Sequence, residues 1–307
     1  YLAGISGQAI NNAYMRALVD VSGKYGLQVC DMCRKYELMG GFPKRPNLLE
    51  VKSEKGEKGE EDEFDKRVRE CVVEDITGFM AVKEKSGGEK GQSIRRTSAV
   101  MFSYMVPDTD TVRHSPPIPQ FHVRYGREEQ AIYNVEASSG IYRLLIAIDV
   151  DKIGRLHDGS YVDKYPNPEY PNDKRENRIR AAFDALTLMF QGYLFAKKAR
   201  YLPQVEFLGG IAVVTDPYRF MVSPARARPV NGRLVPWYII DTLERARKFK
   251  DSVSKLDVLE VYYFDNEFNY EAKSQGITVK RVGGFEELVA AVRDAVLRII
   301  PPEAGKG

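Results

Sequence analysis

The clearest hydrophobic pattern lies near the start of the chain, in the stretch GISGQAINNAYMRALVD. Read at 3.6 residues per turn, its apolar side chains fall on one stripe from Ile10 to Val21. This stripe predicts an amphipathic helix over about 7–21, with Ser6 as its N-cap. The opposite stripe carries amides and one arginine, where solvent-facing stripes usually carry Glu and Lys: Gln8, Asn11, Asn12 and Arg16.

The later patterns predict a mixed α+β fold. Alternating or continuous apolar runs predict strands over 67–82, 93–106, 131–150, 205–215 and 256–265, and helical periodicity predicts helices over 174–200, 238–254 and 285–300. This order of elements favours a sheet with helices on one face. A ferredoxin-like βαββαβ core would need one more strand before the first helix, upstream of Tyr1.

Two segments break the pattern. KSEKGEKGEEDE, at 52–63, is a low-complexity stretch, and 50–65 as a whole carries a net charge of −5. We expect 52–63 to be a disordered, solvated linker, because it has little apolar surface to bury. Residues 107–130 contain four prolines and little apolar periodicity. A long irregular segment of this kind is usually functional or disordered.

Charge distribution says more than the net charge of +3 over 307 residues. Residues 219–250 carry a net charge of +6, and 173–200 carry +4. Such stretches can present basic surface to a polyanion, although ordinary solvated helix faces give the same pattern.

No apolar run reaches the ~18 residues that a membrane span needs, so we expect no membrane partner. The chain has three cysteines, too few for a disulfide framework, which predicts a reducing, cytoplasmic setting.

The cysteines also raise the question of a metal. Cys30 and Cys33 form a CxxC pair, which fits half a zinc site. Only tertiary contact could supply the other ligands, from Cys71 and one of the chain's histidines: His114, His122 and His157. Because no second ligand pair follows in sequence, we favour ordinary buried thiols and assign no metal and no cofactor.

Sequence motifs for catalysis are weak. The chain has no GxSxG, HExxH or phosphate-binding glycine loop, and ASSG at 137–140 has no base suggested nearby. Asp149 and Asp151 follow an apolar strand and could bind Mg²⁺, but a solvated pair at a strand end is the commoner arrangement. We therefore predict no active site.

Polar groups suited to phosphate binding are easier to find. Arg95 and Arg96 begin a predicted strand, whose alternation places them on opposite faces. Gly4 and Gly7 permit close backbone approach at the start of the first helix, where free N–H groups can bind anions. The amides of the first helix would add uncharged donors for phosphates and 2′-hydroxyls. Ordinary surface arginines and a polar face beneath a loop remain alternatives.

Several ordered blocks resemble a known family. GISGQAINNAYMRALVD, RVRECVVEDITGFM, IRRTSAVMFSYMVP and FHVRY…AIYNVEASSGIYRLLIAIDVDKIG are similar to the CRISPR RNA-binding backbone subunit of type I-A Cascade-like complexes. This is the DevR-like branch of the RAMP superfamily, found mainly in archaea. The similarity is clearest over about 4–155 and looser towards the C-terminus.

The resemblance implies a hand-shaped protein with an RNA-recognition-motif-like palm. The palm would comprise 1–22, 93–105 and 131–307, helical fingers 23–92, and a thumb, as an extended loop or hairpin, 106–130. Copies would form a filament along the guide RNA (crRNA), present it to target DNA and contact other Cascade subunits, with cleavage left to a separate nuclease.

The predicted RNA-binding residues lie on the first helix, the RRTS strand, the thumb and the strand after it: Ser6, Gly7, Gln8, Asn11, Asn12, Arg16, Arg95, Arg96, Ser98, Arg113, His114, Gln120, Arg124, Ser138 and Ser139. Two other functions stay open. One is a metal-dependent RNA endonuclease of the same superfamily, using thumb aspartates such as Asp108 or Asp110. The other is a regulator that binds duplex DNA.

Overall fold

A computed structural model describes residues 4–45, 63–82, 93–108, 111, 113–114, 116–122, 131–135, 138–194, 204–273 and 276–300. The helices are α1 (Gly7–Tyr25), α2 (Asp31–Arg34), α3 (Glu63–Glu70), α4 (Val72–Thr77), α5 (Arg175–Leu188), α6 (Trp237–Ser252) and α7 (Phe285–Ile299). The strands are β1 (Phe79–Val82), β2 (Ser93–Arg96), β3 (Val100–Phe102), β4 (Val106–Pro107), β5 (Arg113–His114), β6 (Ile118–His122), β7 (Ala131–Val135), β8 (Ser138–Ser139), β9 (Tyr142–Arg143), β10 (Ile146–Ile148), β11 (Gly209–Asp216), β12 (Arg228–Val230), β13 (Arg233–Val235), β14 (Val258–Asp265) and β15 (Thr278–Arg281).

Helix α1 confirms the predicted amphipathic helix and extends four residues further. The Ser6 hydroxyl accepts a hydrogen bond from the Ala9 N–H at 3.1 Å, which satisfies one of the free donors of the first turn. The helix ends at Gly26, whose φ of +66° is a left-handed conformation that glycine adopts without steric cost. Its apolar stripe is buried against α5.

The main core lies between helices and sheet. α1 packs on α5, α5 packs on α7, and α7 covers one face of the β11–β14–β15 sheet. In β14 the side chains of Tyr262 and Phe264 join the core shared with α7, whereas Val261 and Tyr263 pack on α6 from the other side. The period-2 alternation of one strand therefore fills two separate cores.

The sheets are small. β11 pairs antiparallel with β14, β14 pairs parallel with β15, and β3 pairs antiparallel with β10. The described residues therefore form an α+β fold, as predicted, but β3–β10 and β11–β14–β15 are separate sheets. A continuous RNA-recognition-motif-like sheet is absent from the described strands.

One predicted strand is wrong over most of its length. Residues 67–77 form the end of α3 and all of α4, and only 79–82 form a strand. Every residue of α4 is buried, including Glu74 and Asp75. The valines and isoleucine that favour a strand instead pack on the core around α1, and tertiary contacts override the propensity.

The segment predicted as a thumb, an extended loop or hairpin, contains an antiparallel ribbon. β4 pairs with β9, β5 with β8 and β6 with β7, so the ribbon runs from 106 to 143. The palm boundary predicted at 131 therefore falls inside the ribbon. Pro107 and Pro119 are accommodated because each strand of a two-stranded ribbon has a free edge that needs no N–H donor.

Some predictions fall outside what the structure describes. These are the linker at 52–62, Asp110 and Arg124, together with the side chains of His114 and Gln120. Among the described helices, none combines the length and apolar character needed to cross a membrane.

Candidate nucleic-acid interface

The entrance to α1 is held by backbone contacts. Ile5 and Met105 form a two-way bridge, with N–O distances of 3.0 and 2.9 Å. Gly7 is required by close approach, since a Cβ there would lie 2.5 Å from the Phe102 carbonyl oxygen. The first turn of α1 is thereby fixed beside β3, with Ser6 and Gly7 half-buried.

The amide face of α1 is only partly exposed to solvent. Gln8 is exposed, but Asn11, Asn12 and Arg16 are half-buried. The Arg16 guanidinium lies 5.6 Å from the ring centroid of Tyr36. Asn11 Oδ1 and Arg16 Nε are buried and have no hydrogen-bond partner in the part of the chain that the structure describes. These two atoms are free to bond with water or with a further molecule.

The base of the ribbon brings together residues that are distant in sequence. Arg113 lies opposite Ser139, and His114 lies opposite Ser138. The side chains of Arg113, Ser138 and Ser139 are exposed. The Ser138 hydroxyl lies 2.5 Å from the hydroxyl of Tyr142. Because Arg113 and Ser139 are directly opposite each other, they share one face of the ladder, where a guanidinium and a hydroxyl are suited to phosphate oxygens, while Ser138 lies on the other face.

Strand β2 places the two predicted arginines, Arg95 and Arg96, on opposite faces. Arg95 is exposed and remains available to a ligand. Arg96 is buried at 6% exposure and its guanidinium is occupied by the Asp75 carboxylate at 2.5 Å and by backbone carbonyls. Arg96 lies on the core side of β2, where Asp75 already pairs with its charge. The prediction that Arg96 contacts RNA is therefore wrong. Ser98 is half-buried, and its one hydroxyl proton is shared between the Ile76 and Val100 carbonyls, so its contact with RNA stays a prediction.

Arg96 belongs to a buried charge network. The carboxylate of Asp75 is 0% exposed and also accepts from Arg178 at 2.9 Å and from the Gly154 N–H at 2.9 Å. Arg178 in turn contacts Asp173, with Nε and Oδ1 2.6 Å apart. These bonds join α4, β2 and α5, so the network connects the predicted fingers to the palm.

A cleft of about 2700 Å³ separates the two sheets. One wall is β10 with the adjoining β3, and the other is the edge of β11 that is not paired with β14. Its floor is apolar and comes from α5 and α7, including Phe183, Leu186 and Val289. An ion pair between Asp149 and Arg219 lies at its rim.

Several basic and aromatic residues along the cleft are not among the RNA-binding residues predicted from sequence. Arg143 is half-buried in β9, and Tyr104, before β4, is 67% exposed. Three further arginines after β11 are exposed: Arg219, Arg226 and Arg228. The signal for the last three was the excess positive charge over 219–250, which gave no reason to select particular residues.

The three cysteines meet, which their sequence spacing did not predict. Their sulfur atoms lie within 4.8 Å of one another, and Cys33 and Cys71 are buried while Cys30 is half-buried. Hydrogen bonds from the other two thiols lower the pKa of Cys30, whereas burial raises the pKa of Cys71. The predicted alternative ligand His157 lies instead against Phe64, with ring centroids 5.8 Å apart.

Comparison with known proteins supports the resemblance. A 28% identical relative from Saccharolobus solfataricus, named CRISPR-associated aCascade subunit Cas7/Csa2 2, covers 96% of this chain, which covers 86% of that protein. CRISPR-associated protein Cas7/Csa2 1 from the same organism is 33% identical over 67% of this chain and 63% of its own length. A solved chain of a CRISPR RNA-guided surveillance complex superposes with a TM-score of 0.47 at 11% identity, covering 96% of this chain and 87% of its own.

A family model also matches residues 1–231. Its description is CRISPR-associated negative auto-regulator DevR/Csa2. The match extends from the entrance to α1 past the ribbon, the cleft and the basic residues after β11. The chain belongs to the DevR/Csa2 family of CRISPR-associated proteins.

Proposed function

We propose that this chain is a non-catalytic, crRNA-binding backbone subunit of a type I-A Cascade. Copies of it assemble along the guide RNA, contact other Cascade subunits and present the guide for pairing with target DNA. Family membership supports a role in CRISPR defence, and the relatives' names include a subunit of such a complex.

The single observation that carries the proposal is the ribbon base. It places Arg113 and His114 beside Ser138 and Ser139, although the two pairs are far apart in sequence. The ribbon returns to the body of the protein at β4, directly after the Ile5–Met105 bridge that fixes the start of α1. A single strand crossing the ribbon base would therefore meet the α1 entrance next.

The chemistry of these groups suits a guide whose sequence varies. Hydroxyls, amides and guanidinium groups bind phosphate and sugar without reading base edges. Contacts of modest strength add up when many subunits bind one strand. A net charge of only +3 is compatible with contacts of this additive kind.

The cleft supports a finer proposal about the fold. Its walls are the unpaired edges of two sheets and its floor is apolar, which suits a β-strand better than a polyanion. The ferredoxin-like interpretation expects one more strand before α1, and a strand in this cleft would join both sheets into one palm. Slow amide exchange along 209–216 is the expected result. Fast exchange across that whole edge would contradict it.

RNA binding is tested by fluorescence anisotropy with two unrelated single-stranded RNAs of guide length and a duplex DNA, over a series of salt concentrations. We expect similar affinity for both RNAs and weaker binding to the duplex. Arg95→Ala should flatten the salt dependence by about 0.7 in log–log slope, the value for one phosphate contact on a single strand. The matched control is Lys248→Ala, an exposed cation on α6, which should leave the slope unchanged.

The amide face is tested by the double variant Asn11→Ala, Asn12→Ala. Lost polar contacts should weaken RNA binding by about 0.5–1.5 kcal/mol each, while the salt slope stays the same because amides are uncharged. An unchanged affinity at an unchanged melting temperature would show that this face does not bind RNA.

Two outcomes would replace the proposal. Tighter binding to duplex DNA than to RNA at matched salt would identify a DNA-binding regulator. Mg²⁺-dependent cleavage of RNA that Asp108→Ala abolishes would identify an endonuclease. Electron microscopy of the protein with guide RNA tests assembly, and particles containing one copy per RNA would contradict the filament.

A further inference from the structure

We infer that Cys30, Cys33 and Cys71 form a binding site for a thiophilic divalent cation, with zinc the best fit. This metal site does not depend on the proposed RNA binding, and the experiment that tests the site uses no RNA.

The geometry matches three corners of a tetrahedron. Zinc binds cysteine sulfur at about 2.3 Å, which places the sulfurs of a tetrahedral site ~3.8 Å apart. The three sulfurs here already lie within 4.8 Å of one another. Closing the remaining gap needs only small rotations of side chains. Since Cys30 is half-buried, the fourth position is open to a water molecule.

The backbone holds the ligands together without a metal. Cys30 and Cys33 flank the start of α2, and Cys71 lies between α3 and α4. The Val72 N–H donates to the Gln28 carbonyl at 2.9 Å, which ties the two segments together beside the thiols. A site that is pre-organised in this way loses little conformational entropy on binding a cation.

A half-buried ammonium group supplies the matching charge. The Lys44 Nζ donates to the Thr77 hydroxyl and carbonyl, at 3.0 and 3.1 Å, and to the Gly78 carbonyl. Among the described residues its side chain has no carboxylate ion-pair partner.

The charges of such a site balance. Three thiolates on a divalent cation carry a net charge of −1, and the Lys44 ammonium neutralises it. Glu74, which is buried nearby, is already paired with Arg45. The ammonium is therefore left for the thiolates. Soft sulfur ligands select zinc over magnesium or calcium.

The consequence is structural. A bound cation would link the turn after α1 to the α3–α4 junction, and so to the buried charge network at Asp75. Thiol protons leave when the cation binds, so affinity should rise with pH.

The test uses the intact 307-residue chain, in which all three cysteines of the sequence lie in this cluster. The purified protein is stripped with a chelator under reducing conditions and titrated with Co²⁺, then with competing Zn²⁺. We expect about one Co²⁺ per chain, with a sulfur-to-cobalt charge-transfer band in the near ultraviolet that Zn²⁺ abolishes. Reaction of the native protein with a thiol reagent should modify the half-buried Cys30 without metal and be strongly slowed with Zn²⁺, whereas the buried Cys33 and Cys71 react slowly in both states.

Variants locate the ligands. Cys71→Ser and Cys33→Ser should remove the charge-transfer band, and circular dichroism establishes that each variant is folded. His157→Ala is the matched control and should leave the band and stoichiometry unchanged, because His157 lies outside the cluster. If a serine variant does not fold, the thiol-protection measurement on the unmodified chain decides. Absence of the band together with a Cys30 thiol that stays reactive in the presence of Zn²⁺, or a disulfide between two of the cysteines, would overturn the inference.

Discussion

Asp75→Asn should destabilise the fold far more than its small change in shape suggests. The carboxylate of Asp75 is completely buried and accepts hydrogen bonds from Arg96, Arg178 and the Gly154 N–H. An amide keeps the volume but loses the negative charge, and its NH₂ group cannot accept. The NH₂ group of the new amide would therefore face N–H donors of Arg96, Arg178 or Gly154 instead of accepting from them.

The magnitude follows from what each arginine retains. Arg178 keeps Asp173, its second carboxylate partner. Arg96 keeps backbone carbonyls, with Nε 2.8 Å from the carbonyl oxygen of Asp75, and becomes a buried cation without a counter-charge. Removing one partner of a buried pair costs about 3–5 kcal/mol. With an m-value of about 3 kcal/mol/M in urea, the unfolding midpoint should fall by about 1 M or more.

The assay is urea denaturation followed by the fluorescence of Trp237, the single tryptophan, and by circular dichroism. Asp158→Asn is the matched control, because Asp158 forms an exposed ion pair with Lys164 at 2.9 Å and such pairs are screened by solvent. We expect the control midpoint to be unchanged. Equal midpoints for the two variants would refute the reasoning that the network supports the fold.

Other variants test separate features. Gly7→Ala should cost about 1–3 kcal/mol because its Cβ would meet a backbone carbonyl of β3, whereas Gly23→Ala in the same helix, with open space around it, should stabilise; thermal melting compares them. Replacing 116–135 with a short Gly-Ser turn should leave the melting temperature unchanged, since no described residue of that segment is in the buried core, and should abolish assembly on RNA. Burial and an aspartate partner raise the pKa of Tyr25 to about 12, so its contribution to stability is present below pH 10 and lost between pH 10 and 12. The difference in urea stability between the natural protein and Tyr25→Phe should accordingly shrink over that range.

Elements with strong periodicity could be predicted from sequence. α1, α7 and β14 each have one dominant apolar pattern, and the structure confirms all three within a few residues at either end. The cap at Ser6 was also predictable, because an N-cap depends on residues within one turn. Local signals were sufficient in these cases.

Features that depend on distant partners could not be predicted. α4 is buried on every side, so it shows no polar stripe from which a helical period could be read. The period-2 alternation of a strand places Arg95 and Arg96 on opposite faces. Only the tertiary contact with Asp75 decides which of the two faces inward. The ribbon depends on pairing 106–122 with 131–143, and the meeting of Cys71 with the CxxC pair depends on how α3 and α4 fold back.

The ribbon also defines a length. Its return strand from Ala131 to Tyr142, at ~3.3 Å per residue, can extend at most about 36 Å from the body. A compact chain of this size has a radius of gyration of about 19 Å. The ribbon can therefore extend nearly twice as far as the body's radius of gyration. In an assembly of identical copies, the length of the ribbon would set the distance between one subunit and the next.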